Sequence, residues 1–67
     1  MIALTVNGKR WELAAETDLA SFLDELQIDS RAVAVAHNGE IMPRDRYPTI
    51  RLREGDTLEI VRMVGGG

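Results

Sequence analysis

The chain contains no cysteine, and it has a single histidine, two prolines and one each of tryptophan, tyrosine and phenylalanine. Without cysteine there is no disulfide, no thiolate metal site and no persulfide carried on this chain. With His37 as the sole histidine, a zinc site would need an all-carboxylate arrangement, so no metal is expected. No apolar run is long enough to span a membrane, and no charged-then-apolar leader opens the chain; a cytoplasmic protein is the expectation. There is no run of basic residues, and the net charge is -3, which argues against nucleic acid as a partner. A glycine-rich phosphate loop with lysine is missing, as is a histidine near a plausible serine nucleophile. The expectation is therefore a protein that is not an enzyme and binds no cofactor of its own.

The 67 residues are enough for one domain, near the lower size at which a chain folds alone. Such a domain buries only about 60% of its unfolded surface, so loops must be short and the core dense. With 45% hydrophobic and 28% charged residues, the composition is that of a globular domain.

Ile2, Leu4 and Val6 alternate with Ala3 and Thr5, and Trp11 and Leu13 alternate again after Asn7-Gly8. Asn-Gly between alternating runs predicts a hairpin, because both residues tolerate the positive φ of a type I′ turn. A two-residue turn sets Val6 opposite Lys9, Leu4 opposite Trp11 and Ile2 opposite Leu13. That register places the large apolar side chains on one face. Next, Leu19, Phe22, Leu23 and Leu26 recur at helical spacing and predict a helix near Asp18 to Gln27. Thr17 is the expected N-cap, with Asp18 just inside at the positive end of the helix dipole.

Val33 and Val35 alternate with small alanines before a second Asn-Gly pair, Asn38-Gly39, and Ile41 and Met42 follow before Pro43. This predicts a second hairpin with Pro43 ending the pairing, and His37 on the turn in water. Pro48 favours an extended Tyr47. Glu54-Gly55-Asp56 predicts a turn, after which Leu58 and Ile60 share one face of a final strand. A hairpin, one helix and more short strands pack most economically as a mixed sheet on one main helix, an α+β roll with the element order of the β-grasp, or ubiquitin-like, fold.

The final strand runs into Val64, Gly65, Gly66 and Gly67. Glycine lacks Cβ, so such a tail can thread a narrow channel. Beyond Met63 it reaches about 13–14 Å. It reads as a mobile segment in the free protein, ordered inside partner enzymes, with Val64 as its one apolar anchor. An α-carboxylate ionises with a pKa of about 3.3–3.7 and is a poor electrophile. Were it the reacting group, its activation, for example as an acyl-adenylate made from ATP, would be supplied by a partner. Set beside this are a frayed terminus and the start of a linker.

Val6 to Gly8 ("VNG"), Val33 to Arg44 ("VAVAHNGEIMPR") and Leu52 to Gly67 ("LREGDTLEIVRMVGGG") together resemble the ThiS family, the small β-grasp sulfur carriers of thiamine biosynthesis. The resemblance covers nearly the whole chain and implies one β-grasp domain over residues 1–64 followed by a reactive tail at 65–67. It implies that the carboxylate of Gly67, behind Gly66, is adenylated by an E1-like activating enzyme using ATP. Conversion to a thiocarboxylate with a sulfur donor system follows, and the sulfur passes to thiazole synthase. Met42, Val61 and Met63 are expected on the less covered sheet face, as an adaptable apolar patch for docking. Arg44 is a further candidate contact, set against the simpler reading of solvated surface. The free protein is expected to be a monomer. Alternatives are a sulfur carrier for molybdopterin or another pathway, a modifier that forms isopeptide bonds, and a ubiquitin-like interaction module that never reacts.

Overall fold

The computed structural model describes residues 1–63; the tail at Val64, Gly65, Gly66 and Gly67 lies outside the described residues. Strands β1 (Ile2–Val6) and β2 (Lys9–Leu13) form the expected hairpin. Its register pairs Ile2 with Leu13, Leu4 with Trp11 and Val6 with Lys9. Asn7 at φ 51° and Gly8 at φ 81° supply the two positive φ angles that a type I′ turn requires. The same device, Asn38 at φ 52° and Gly39 at φ 86°, joins β4 (Val33–His37) to β5 (Glu40–Ile41).

The helix is shorter than its apolar stripe suggests. Thr17–Asp18 form a two-residue strand, β3, paired with β6 (Arg51–Leu52), so α1 spans Leu19–Glu25. This displaces the cap from Thr17 to Asp18, whose carboxylate accepts the Ser21 backbone N–H at 2.9 Å and the Ser21 hydroxyl at 2.7 Å. Pairing of Thr17 with Leu52 and of Asp18 with Arg51 keeps both residues extended, so the helix begins at Leu19 and Asp18, immediately before it, is the N-cap. At the other end Gln27 adopts a left-handed φ of 59°. Its N–H donates to the Asp24 carbonyl at 3.0 Å, and the Ile28 N–H donates to the Leu23 carbonyl at 2.9 Å. Those two bonds make a Schellman ending, with glutamine where glycine is usual.

The main sheet has five strands in the order β2-β1-β7-β4-β5, where β7 is Thr57–Arg62. β7 runs parallel to β1 and antiparallel to β4, so the sheet is mixed, as expected of a β-grasp roll. Helix α1 covers one face, burying Leu19, Phe22 and Leu23 against Leu4, Val6, Val35 and Leu58.

The segment before Pro48 departs from the sequence reading. Tyr47 is not extended: Arg44–Thr49 winds into a 3-10 helix that contains Pro48. Bonds from the Arg46 N–H to the Pro43 carbonyl (3.0 Å) and from the Ile50 N–H to the Tyr47 carbonyl (3.3 Å) close it. Winding here turns the Tyr47 ring into the core, where it is 3% exposed. Burying an aromatic ring outweighs the modest local preference of a pre-proline residue.

Leu23, 1% exposed at the centre of the cluster, is expected to cost about 2–5 kcal/mol when replaced by alanine. Urea denaturation measures this, and an unchanged midpoint would place Leu23 outside the cooperative core. Gln27→Gly is expected to raise stability by about 0.5–1 kcal/mol, because glycine removes the Cβ penalty of the left-handed region. The same titration reads it, and a loss of stability would mean that the glutamine side chain contributes more than the strain costs.

Candidate functional site

The tail is delivered by β7, so the site is built from what holds and surrounds that strand. Its start is fixed by a polar clasp. Asp56 Oδ2 accepts the Arg53 N–H at 2.9 Å and lies 2.9 Å from His37 Nε2, while Asp56 Oδ1 accepts from Asn38 Nδ2 at 3.2 Å. The Asn38 side-chain oxygen in turn accepts the Thr57 N–H at 2.9 Å. His37 is therefore not a turn residue in water: it ends β4, and its side chain is only 20% exposed against 14% for Asp56. Pairing of His37 with Leu58 across the strands brings the imidazole to the head of β7, a neighbour 21 positions away that no local pattern announces.

Asn7 makes a second clasp. Its side-chain oxygen accepts the Ile60 N–H at 2.8 Å, and its Nδ2 donates to the Ile60 carbonyl at 3.2 Å. The amide group thus stands in for a backbone unit and extends the parallel β1–β7 ladder by one rung. Both Asn-Gly turns were legible as turns, but their asparagines also tie two hairpins to β7. At the far end the Met63 N–H donates to the Ala32 carbonyl at 2.9 Å, so the ladder holds the chain up to the last described residue.

Strand alternation sends Leu58 and Ile60 toward the helix and leaves Glu59 and Val61 on the open face. There Ala34, Ala36, Ile41, Glu59 and Val61 line a shallow depression of about 300 Å³. Of the three residues expected on this face, Val61 (60% exposed) and Met63 (52% exposed) are exposed. Met42 is not on it. Ile41 points outward at 71% exposure, so its neighbour Met42 turns the other way and packs against the core. A strand has a period of two, and Ile41 and Met42 cannot share a face. Ile41 is the outward residue that the sequence reading missed; the signal lay in the outward alanines, since Ala36 pairs with Ile41.

Arg44 is exposed but employed: its Nε donates to the Ser30 carbonyl at 3.1 Å and its Nη2 to the Arg31 carbonyl at 3.2 Å. It ties down the 3-10 turn Ser30–Ala32 that leads into β4. Among the described residues no three His, Asp or Glu side chains converge as a metal site.

Comparison with known proteins places this arrangement. A family model described as the ThiS family matches residues 4–67. The sulfur carrier protein ThiS of Bacillus subtilis (strain 168) is 36% identical over 66 residues, covering 96% of this chain and 98% of that protein. A thiazole synthase of Paramagnetospirillum magneticum is 42% identical over 64 residues, covering 96% of this chain. This chain spans only 20% of the length of that thiazole synthase. The crystal structure of the thiamine biosynthesis protein ThiS from Geobacter metallireducens superposes with a TM-score of 0.86 at 29% identity, covering 98% of this chain and all of that one.

The clasp carries a pH signature. Burial pushes the Asp56 carboxyl up, but the bonds from His37, the Arg53 N–H and Asn38 outweigh it, so its pKa lies below the ordinary 3.8. A carboxylate depressed on folding contributes stability above its unfolded pKa and loses it as pH falls through the folded one. Asp56→Asn is thus expected to destabilise by about 1–3 kcal/mol at neutral pH. The gap to the parent should narrow as pH drops below 3.8. Urea midpoints at neutral pH and in acid check this; a gap that does not change with pH would remove Asp56 ionisation from the account.

Proposed function

This chain belongs to the ThiS family, and on that premise we propose that it is a sulfur carrier in thiamine biosynthesis whose working group is the α-carboxylate of Gly67. The observation that carries the reading is the extent of the family match, from Leu4 through the glycine tail to Gly67. It is supported by a fold in which the strand leading to that tail is bonded on both sides.

The chemistry takes place on the tail and is supplied in trans. In an E1-like activating enzyme the Gly67 carboxylate attacks the α-phosphorus of ATP, forming the acyl-adenylate and releasing pyrophosphate. Sulfide-level sulfur from the donor system then attacks the acyl carbon, the bond to AMP breaks, and AMP leaves with its electron pair, so that a thiocarboxylate remains. That sulfur is passed to thiazole synthase for the thiazole moiety of thiamine. The relative named thiazole synthase, which includes a segment similar to this chain, supports carrier and acceptor acting together. ATP belongs to the activating partner, and the carrier itself is neither catalyst nor cofactor protein. It works in the cytoplasm and is a monomer when free.

What the folded body contributes is presentation. Gly65, Gly66 and Gly67 carry no Cβ, so a channel that admits them excludes ordinary side chains. Val64 marks the base of the tail, and Val61 and Met63 offer apolar contacts beside it.

Supplying an activating enzyme of verified activity, ATP and a sulfur donor is expected to replace one terminal oxygen by sulfur. Intact mass shows the exchange, and fragmentation localises it to Gly67. An unchanged mass would falsify the carrier reading, whereas a larger protein adduct would favour a conjugating modifier. Gly66→Ala is expected to keep the parent's circular dichroism and urea midpoint yet be activated at least roughly tenfold more slowly, because a methyl group enters the channel. Equal activation rates would show that slimness at residue 66 is not required. Adding thiazole synthase with its other substrates and following sulfur-dependent product separates thiamine from other destinations.

A further inference from the structure

A second depression lies on the helix side of the sheet, across β7 from the open face. It is a groove of about 460 Å³ between the end of α1 and the sheet, within the roughly 300–1,000 Å³ typical of ligand clefts. Trp11 forms one wall, Leu26 and Ile28 another, and Ile60 belongs to the floor. The three aliphatic residues pack against the core but remain partly exposed. Trp11 is 37% exposed. It packs edge-on to Phe22, with ring centroids 5.8 Å apart and an interplanar angle of 85°, so the indole is braced against the core on one side.

The charge of this groove is opposite to that of the molecule. Lys9 and Arg62 line it and no carboxylate does, although the chain as a whole carries -3. Neither cation has an ion-pair partner among the described residues. Asn7, also part of the lining, has its amide committed to Ile60. Two unpaired cations beside an apolar floor with an aromatic wall select an occupant that is apolar in the middle and anionic at its edges.

We propose that this groove docks a short segment of a partner protein in which an apolar side chain is flanked by carboxylates. The apolar side chain enters between Trp11 and Ile28, and the flanking carboxylates meet Lys9 and Arg62. Because Arg62 immediately precedes Met63, a partner held here grips the base of the tail from the side opposite Val61. This surface is distinct from the tail chemistry, and its occupancy is tested without any sulfur transfer.

The probe is an acetylated Glu-Glu-Leu-Leu-Glu-Glu peptide, with a Lys-Lys-Leu-Leu-Lys-Lys peptide as its charge-reversed control. Trp11 is the chain's lone tryptophan, so its emission reports the groove directly, and amide chemical shifts map the contact. The expected result is saturable binding of the acidic peptide, with shifts at the Trp11 indole, Leu26, Ile28 and Ile60, and little response to the basic one. Lys9→Glu combined with Arg62→Glu is expected to weaken binding at least roughly tenfold, with an unchanged urea midpoint as the folding control. Equal binding of both peptides, shifts centred on Ile41 and Val61, or no response at millimolar peptide would each overturn the proposal. So would a Trp11 change of the same kind on deleting residues 64–67, which would make the chain's own end the occupant.

Discussion

Everything in this fold depends on seating the last strand in the middle of the sheet. β7 is bonded to β1 on one side and to β4 on the other, so neither hairpin belongs to a complete sheet until it is in place. The contact is long in sequence: Asn7 and Ile60 are 53 positions apart. Closing such a loop costs conformational entropy before any pairing energy returns. The molecule meets that cost with bonds concentrated on the incoming strand. Two asparagine side chains reach its backbone at Thr57 and Ile60. The turn before it is stitched to β1 through the Gly55 N–H to the Ala3 carbonyl and the Thr5 N–H to the Asp56 carbonyl, at 2.8 and 2.9 Å. Glu54 adds a side-chain bond to the Ala3 N–H at 2.8 Å.

The same strand divides the surface into regions of different character. Leu58 is sealed under the helix, Val61 faces outward beside small alanines, and Arg62 turns back toward the groove that Trp11 walls. β7 is bonded on both sides, and on the β4 side the bonding continues up to Met63, the last described residue.

How far the sequence alone reaches follows from the range of each interaction. The first hairpin, its register, both Asn-Gly turns and the Leu19–Phe22–Leu23 stripe were readable because each depends on neighbours within a few positions. The tail reading rests on the sequence alone, on glycine's missing Cβ and the family motif around Gly67, and lies outside the described residues. What tertiary structure decided is what distant residues decide. Thr17 lost the cap to Asp18 because pairing with Leu52 and Arg51 keeps both residues extended and delays the helix to Leu19. Tyr47 abandoned the extended conformation because a core assembled from both ends of the chain had room for its ring. Met42 turned inward because β5 pairs with β4 through Ala36 and Ile41. His37 left solvent for Asp56, and Trp11, Lys9 and Arg62 became walls of one groove, only when β7 took its place between β1 and β4. Periodicity records which way a side chain points along its own element; which partner it then meets is set by packing between elements far apart in the chain.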